Sequence, residues 1–268
     1  MKQLPIIDSH THIYSYPDKE LLEVLSRSDN NEVKSIIDSS VDLNSAKRIN
    51  LLSQKHKNIF GGIGMHPQNL KKEINEKDIN KIYELVTNNK KLIVISEIGL
   101  DFQASSPDRI IQYSAFRKQI GIARELNKPI IFHSRLAIKE ALKILKEERA
   151  FEVGGAMHYF QSNLEVAKEI IDIGFNISFG KPLLRKPDLE EVLKIIPLDK
   201  IIVETDSAPQ PFKKNREKWT EPKDCKLIVN KISEIKQIGT NQIQKEIFYN
   251  TFKMLKNGSK WLEINDFN

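Results

Sequence analysis

The chain has 268 residues, a formal net charge of +6 and one cysteine. A lone Cys225 excludes an internal disulfide framework and a thiolate metal site. No apolar run is long enough for a membrane-spanning helix. The positive excess favours an acidic or phosphorylated partner only mildly. Met-Lys-Gln-Leu-Pro at the start runs directly into a strand with no apolar leader, so a cytoplasmic location is expected.

In chain order, short continuous apolar runs alternate with amphipathic segments. Strands are predicted at residues 4–7, 34–38, 59–65, 92–96, 129–132, 154–157, 175–178 and 201–204. Continuous rather than alternating apolarity is what strands buried on both faces show. Helices are predicted at 18–27, 43–55, 76–88, 109–127, 137–147, 164–173 and 189–196, with two more at 222–238 and 242–256. Apolar spacing of three to four residues supports each. Eight strand–helix units predict an α/β fold, a closed (β/α)8 TIM barrel, with residues 1–268 as a single domain.

The chemistry lies where the strands end. His10 and His12 follow the first strand, and residues two apart in extended backbone share a side. His66 follows the third strand, Glu97 the fourth, His133 the fifth, His158 the sixth and Asp206 the eighth. Five of the six histidines therefore mark strand ends, and only His56, in a polar helix end, does not. In a parallel barrel those ends converge on one face.

Four imidazoles and two carboxylates exceed what one ion takes, since a catalytic zinc commonly has three protein ligands and a water. A two-ion site needs a bridging carboxylate, and Glu97 on a central strand is the candidate. Asp206 has the two oxygens needed to hold an ion and accept a proton from water. Asp8, Ser9, Asp101, Arg135 and Glu204 are candidates for outer support. Imidazole-rich sites suit Zn, Mn, Fe or Ni, and phosphoryl chemistry leaves Mg open, so one or two divalent ions are expected.

The motifs Asp8-Ser-His-Thr-His12, Gly64-Met-His-Pro-Gln68, Glu97-Ile-Gly-Leu-Asp101, Phe116-Arg-Lys-Gln-Ile120, Phe132-His-Ser-Arg135, Gly154-Gly-Ala-Met-His158 and Glu204-Thr-Asp-Ser207 run in order along nearly the whole chain. They resemble the TatD family of metal-dependent deoxyribonucleases within the amidohydrolase-like barrels. The resemblance implies metal ligation by His10, His12, Glu97, His133, His158 and Asp206. It places His66 near the substrate phosphate. It also implies cleavage of DNA phosphodiesters, often from an end. Catalytic roles are expected for Asp206, Glu97 and His66, and substrate contacts for His66, Arg135 and Glu204.

This chain departs from the family pattern in places. Ser96 stands where the family often has Gly, Phe102 and Gln103 replace an aromatic Tyr, Ala208 precedes Pro209, and Thr220-Glu221-Pro222 replaces Asn-Glu-Pro. These changes touch loops and neighbours rather than ligands. Two basic loops, 180–186 and 211–219, lie on the same face. Their Lys and Arg are candidates for holding phosphate, and Phe212 or Trp219 for stacking on an unpaired base. Packing aromatics in solvated loops are the plain alternative.

Single-stranded or end-containing DNA is the expected partner, with a monomer as the default. Two other functions stay open. An amidohydrolase-like enzyme could cleave an ester or amide, such as an aminoacyl-tRNA ester, with the same water. A non-catalytic protein in a complex would not need the full ligand set.

Overall fold

The computed structural model describes residues 4–255. Residues 1–3 and Lys256, the last residue of the final predicted helix, lie outside the described residues. The elements alternate as expected. β1 (Ile6–Thr11), α1 (Asp18–Asn30), β2 (Val33–Ser39), α2 (Leu43–Lys55), β3 (Ile59–Gly62), α3 (Glu76–Asn88), β4 (Leu92–Asp101) and α4 (Arg109–Glu125) form the first half. β5 (Ile130–Arg135), α5 (Ile138–Glu147), β6 (Gly155–Met157), α6 (Leu164–Asp172), β7 (Phe175–Phe179), α7 (Pro187–Ile195), β8 (Ile201–Val203), α8 (Cys225–Lys236) and α9 (Thr240–Leu255) follow.

All neighbouring strands pair in parallel, in the order β1 to β8. The ends of the sheet meet through a parallel bridge between Thr11 and Ser207. There the His12 amide donates to the Ser207 carbonyl at 2.7 Å, and the Asp206 amide to the His10 carbonyl at 3.0 Å. The fold is the (β/α)8 barrel that the alternation predicts.

Local chemistry starts the helices. Asp42 caps α2 by accepting from the Ser45 amide, Asn75 caps α3 through Asp78, and Asn163 caps α6. These side chains satisfy amides that have no partner within the helix. Pro187 opens α7 two residues earlier than predicted, since proline suits the first helical position. The predicted start of α8 at 222 is instead a separate 3-10 turn, Pro222–Asp224.

The core has two parts. A large cluster lies between the sheet and the helices. A smaller one takes Ile7, Ile37, Phe60, Ile93, Ile131 and Ile202 from six strands and is sealed by Phe248, Met254 and Leu255 of α9. α9 thus covers the N-terminal end of the barrel, where the Asn250 amide donates to the Ile201 carbonyl at 2.9 Å. The opposite, C-terminal end is left free.

Three strands differ in length from expectation in a way that builds that end. β1, β4 and β5 run past their apolar segments through His10, Glu97 and His133. Backbone pairing carries them: Gly99 pairs with His133, Leu100 with Ser134 and Asp101 with Arg135. β3 is shorter than predicted and stops at Gly62, beside a register shift against β4. Gly99 has φ +147°, and a Cβ there would lie 1.9 Å from the His133 carbonyl oxygen. Gly99→Ala is therefore expected to cost about 3 kcal/mol or more from strain and overlap. For a chain of this size that lowers the melting temperature by roughly 6–12 °C. Thermal denaturation of the variant measures it, and an unchanged midpoint would contradict the close approach.

Candidate metal centre

Glu97 sits at the middle of the free end, 3% exposed. Its two oxygens face different groups of side chains. Oε2 lies 3.4 Å from His10 Nε2 and 3.3 Å from His12 Nε2. Asp206 Oδ1 completes this group at 3.3 Å from His12 Nε2 and 3.9 Å from His10 Nε2. Oε1 lies 2.6 Å from His158 Nε2, 2.9 Å from His133 Nδ1 and 3.4 Å from His66 Nε2. All seven residues read from strand ends come together here. Asp206 holds a left-handed backbone, φ 53°, which aspartate tolerates better than most residues.

The donor chemistry fits a cation between these atoms. His10 Nε2 and His12 Nε2 are 3.3 Å apart, and His133 Nδ1 and His158 Nε2 are 3.2 Å apart. Two nitrogens bound to one ion at about 2.0–2.1 Å with tetrahedral angles sit about 3.3–3.4 Å apart.

The outward nitrogens decide which lone pairs are free. His12 Nδ1 faces the Ser39 carbonyl at 2.8 Å, so it carries the proton. His133 Nε2 faces Asp101 Oδ2 at 3.0 Å, and His158 Nδ1 faces Glu204 Oε1 at 3.3 Å. Each acceptor pins the proton outward and leaves the inward lone pair for an ion. His66 is reversed. Its Nδ1 accepts the Gln68 amide at 3.2 Å, so its proton is on the inward Nε2. His66 thus offers a donor where the other four offer acceptors. His66→Ala is expected to retain the metal content while turnover falls about 10²–10³-fold, as for loss of one charge-stabilising donor. Elemental analysis beside rate measurement tests this; loss of an ion would make His66 a ligand instead.

Charge points the same way. Burial opposes ionisation of Glu97, but His158 and His66, with hydrogen bonds from His10 and His12, hold its carboxyl well below the ordinary value. Burial also opposes protonation of His12, yet Asp206 and Glu97 raise it well above the ordinary imidazole value. Glu97 and Glu204 outweigh burial in the same way at His158. The deepest ring, His10, is lowered by burial and by the charge of His158. The pocket demands positive charge, which a divalent cation supplies in place of protons.

Asp101 illustrates the pH consequence. Burial would raise its carboxyl, but the His133 ring, the Gln103 amide and the Ser106 hydroxyl bring it down to about 2. A depressed carboxyl stabilises the fold above its ordinary value, 3.8, and that contribution is lost as pH falls toward 2. Asp101→Asn is expected to flatten this part of the acid limb. Urea unfolding of the metal-free protein between pH 5 and pH 2 would show it, and an unaltered slope would contradict it.

The expected supporting residues divide by position. Asp8 is wholly buried and accepts the Thr205 amide at 3.0 Å, tying β1 to the segment that carries Asp206. The Ser9 hydroxyl donates to the Val203 carbonyl at 2.9 Å. Arg135 is exposed on the wall of a cleft of about 940 Å³ that opens over the cluster. Glu204 does not meet its expected role at the substrate. It is fully buried behind His158 and also accepts the Tyr159 amide at 2.9 Å, so it positions a ring rather than lining the cleft.

The basic loops are also more committed than expected. Arg216 is paired with Glu20 and Glu221 and lies 4.4 Å over the Trp219 ring. Trp219 packs 6.3 Å from Tyr16, so it is a packing aromatic. Lys181 is paired with Asp224 at 2.7 Å. Phe212 remains 78% exposed on the cleft wall.

Two glutamines were not foreseen. On α4, the buried Gln119 accepts the Met65 amide at 2.7 Å and donates to the Met65 carbonyl at 3.1 Å, fixing the turn before His66. Gln112 clamps both backbone groups of Asp101 at 2.8 Å. Their signal was an amide on the apolar face of an amphipathic helix, seven residues apart.

A (β/α)8 barrel with imidazole groups on both sides of one carboxylate at its C-terminal face is an arrangement suited to holding divalent cations. Comparison with known proteins narrows this. The family model described as "TatD related DNase" matches residues 7–256, and the chain belongs to the TatD family. It is 35% identical over 246 residues to the uncharacterized metal-dependent hydrolase YabD of Bacillus subtilis, covering 89% of this chain and 94% of that one. It is 30% identical over 259 residues to the uncharacterized metal-dependent hydrolase MJ1582 of Methanocaldococcus jannaschii, covering 96% of this chain and 99% of that one. Among solved structures, the TatD homologue YjjV of Escherichia coli superimposes with a TM-score of 0.84 at 22% identity, over 94% of this chain and 98% of that one, a likeness of fold. The chain is a metal-dependent hydrolase. No helix among the described residues is long and apolar enough to cross a membrane.

Proposed function

We propose that the protein hydrolyses DNA phosphodiester bonds, working inward from a single-stranded or otherwise accessible end. One observation carries the reading: Glu97 presents each oxygen to a separate imidazole group at the base of a cleft walled by the free guanidinium of Arg135. His10, His12 and Asp206 would hold one divalent ion and His133 and His158 the other, with Glu97 shared. Bound there, the ions supply a water of lowered pKa and neutralise phosphate charge.

The chain's own groups do the rest. Asp206, with its carboxylate partly exposed to the cleft, accepts the proton of the attacking water. The inward N–H of His66 donates to a phosphate oxygen, and Arg135 holds the neighbouring charge. Asp101 and Glu204 keep the two rings of the second group in their tautomers. No covalent intermediate is required.

The protein acts in this reading as a single barrel domain, a monomer, in the cytoplasm, where its one buried cysteine stays reduced. Zn, Mg and Mn all suit a mixed imidazole and carboxylate set.

Cleavage of end-labelled single-stranded DNA with added Mg, Mn or Zn, with EDTA, and with the His133→Ala variant tests the proposal. A metal-dependent ladder lost in EDTA and in the variant is the expected result. Absence of cleavage by metal-loaded protein would overturn it in favour of an ester or amide, and aminoacyl-tRNA would be the next substrate.

A further inference from the structure

Leu136 and Phe212 are the two most exposed large apolar side chains among the described residues, at 79% and 78%. Both line the cleft over the imidazole groups. Leu136 also holds a left-handed backbone, φ 55°. That conformation is an outlier for a bulky residue, and such outliers gather at ligand sites. Three of the seven non-glycine residues with positive φ among the described residues, Leu136, Tyr159 and Asp206, lie on this one cleft.

Each of the two apolar side chains stands beside a cation. Arg135 precedes Leu136, is exposed and has no ion pair among the described residues. Lys213 follows Phe212, with its Nζ 6.0 Å from the ring centre. Burial and the charges of Lys181 and Arg185 lower the pKa of Lys213 by more than Asp224 offsets, so positive charge is in surplus at this wall. The two pairs also come from different sides. Arg135 ends β5, and Leu136 stands three residues after His133 of the second group. Phe212 lies beyond β8, six residues after Asp206 of the first group. β5 and β8 are three places apart in the strand order.

A nucleotide has the same two parts, a charged phosphate and a base with an apolar face. We propose that Arg135–Leu136 and Phe212–Lys213 are two nucleotide subsites, which take the unpaired nucleotides on either side of the scissile phosphate. The proposal rests on the phosphodiesterase reading and names what that site selects. Phe212 stacks on one base and Leu136 packs on the face of the other. Lys213 and Arg135 meet the flanking phosphates. A base inside a duplex has both faces covered by its stacked neighbours, so the two subsites select a single-stranded end.

The backbone at Leu136 sets the choice of variant. Asparagine accepts a left-handed conformation, so Leu136→Asn removes the apolar group without adding strain. Phe212 is exposed, so Phe212→Ala leaves the packing intact. Three end-labelled single strands are compared with the full, metal-loaded chain: one intact, and two with a single abasic residue on one side or the other of the first bond cleaved. The wild type should cleave each abasic strand about 10–100-fold more slowly than the intact one, the range for loss of one stacked base. Each variant should lose this discrimination at one position only, Leu136→Asn at one and Phe212→Ala at the other. Equal rates of the wild type on all three strands overturn the proposal. So do variants that keep both penalties, or that both lose the penalty at the same position. If the wild type cleaves no DNA, the hydrolytic reading fails, and fluorescence anisotropy of the same three strands decides the subsites. The same crossed pattern in Kd then supports them, and equal affinities overturn them.

Discussion

Glu97→Gln is expected to remove bound metal from both imidazole groups and lower hydrolysis by about 10³-fold or more, the scale of losing the activated water. The side chain keeps its shape, so packing is not the cause. One oxygen becomes an amide nitrogen, which has no lone pair for a cation. Whichever way the amide turns, either the His10–His12 side or the His133–His158 side faces an N–H. The remaining neutral oxygen is also a poorer ligand than half of a shared charge. Metal analysis after dialysis, beside rates on a phosphodiester, checks both parts. Two retained ions and a loss under tenfold would show that Glu97 does not bridge.

Asp206→Asn should separate chemistry from assembly. Asp206 is the most accessible member of the first group, half-buried, while His10, His12 and Glu97 are deeper. Its carboxyl is held below the ordinary value, with burial opposed by hydrogen bonding to His12 and by the charges of His12, His158 and His10. It is therefore ionised and able to take a proton. Asparagine keeps one oxygen but has no basicity. Turnover is expected to fall about 10²–10⁴-fold, the usual worth of a positioned base, with the melting temperature near that of wild type. Substrate affinity should change much less than turnover. An active Asp206→Asn enzyme would assign the proton to another group.

Much of this site was legible in the sequence because two patterns coincide. Continuous apolar runs fix where the strands lie, and imidazoles or carboxylates stop those runs at one end. A parallel barrel then gathers them without any knowledge of loops. What was illegible has a physical cause in each case. Ser39 lies inside an otherwise ordinary strand and serves His12 through its backbone carbonyl, which no side-chain pattern announces. Glu204 follows β8 directly and reads like a cleft residue, but its side chain turns behind His158. The extension of β1 through Thr11 and of β5 through Arg135 rests on backbone pairing between distant strands, which local composition does not reveal. Arg216 and Trp219 sit in a loop that looks free for a ligand and are instead spent on Tyr16, Glu20 and Glu221.

The bridge between Thr11 and Ser207 has a consequence for the timing of biogenesis. His10 and His12 precede Asp206 by some 195 residues, roughly 10–40 s of synthesis at ordinary elongation rates. During that interval the two histidines are an incomplete chelate on an unpaired strand edge, and α9, which seals the far end, is later still. The first group is therefore complete only after β8 has been made and its following segment has met β1 at the far end of the sheet order.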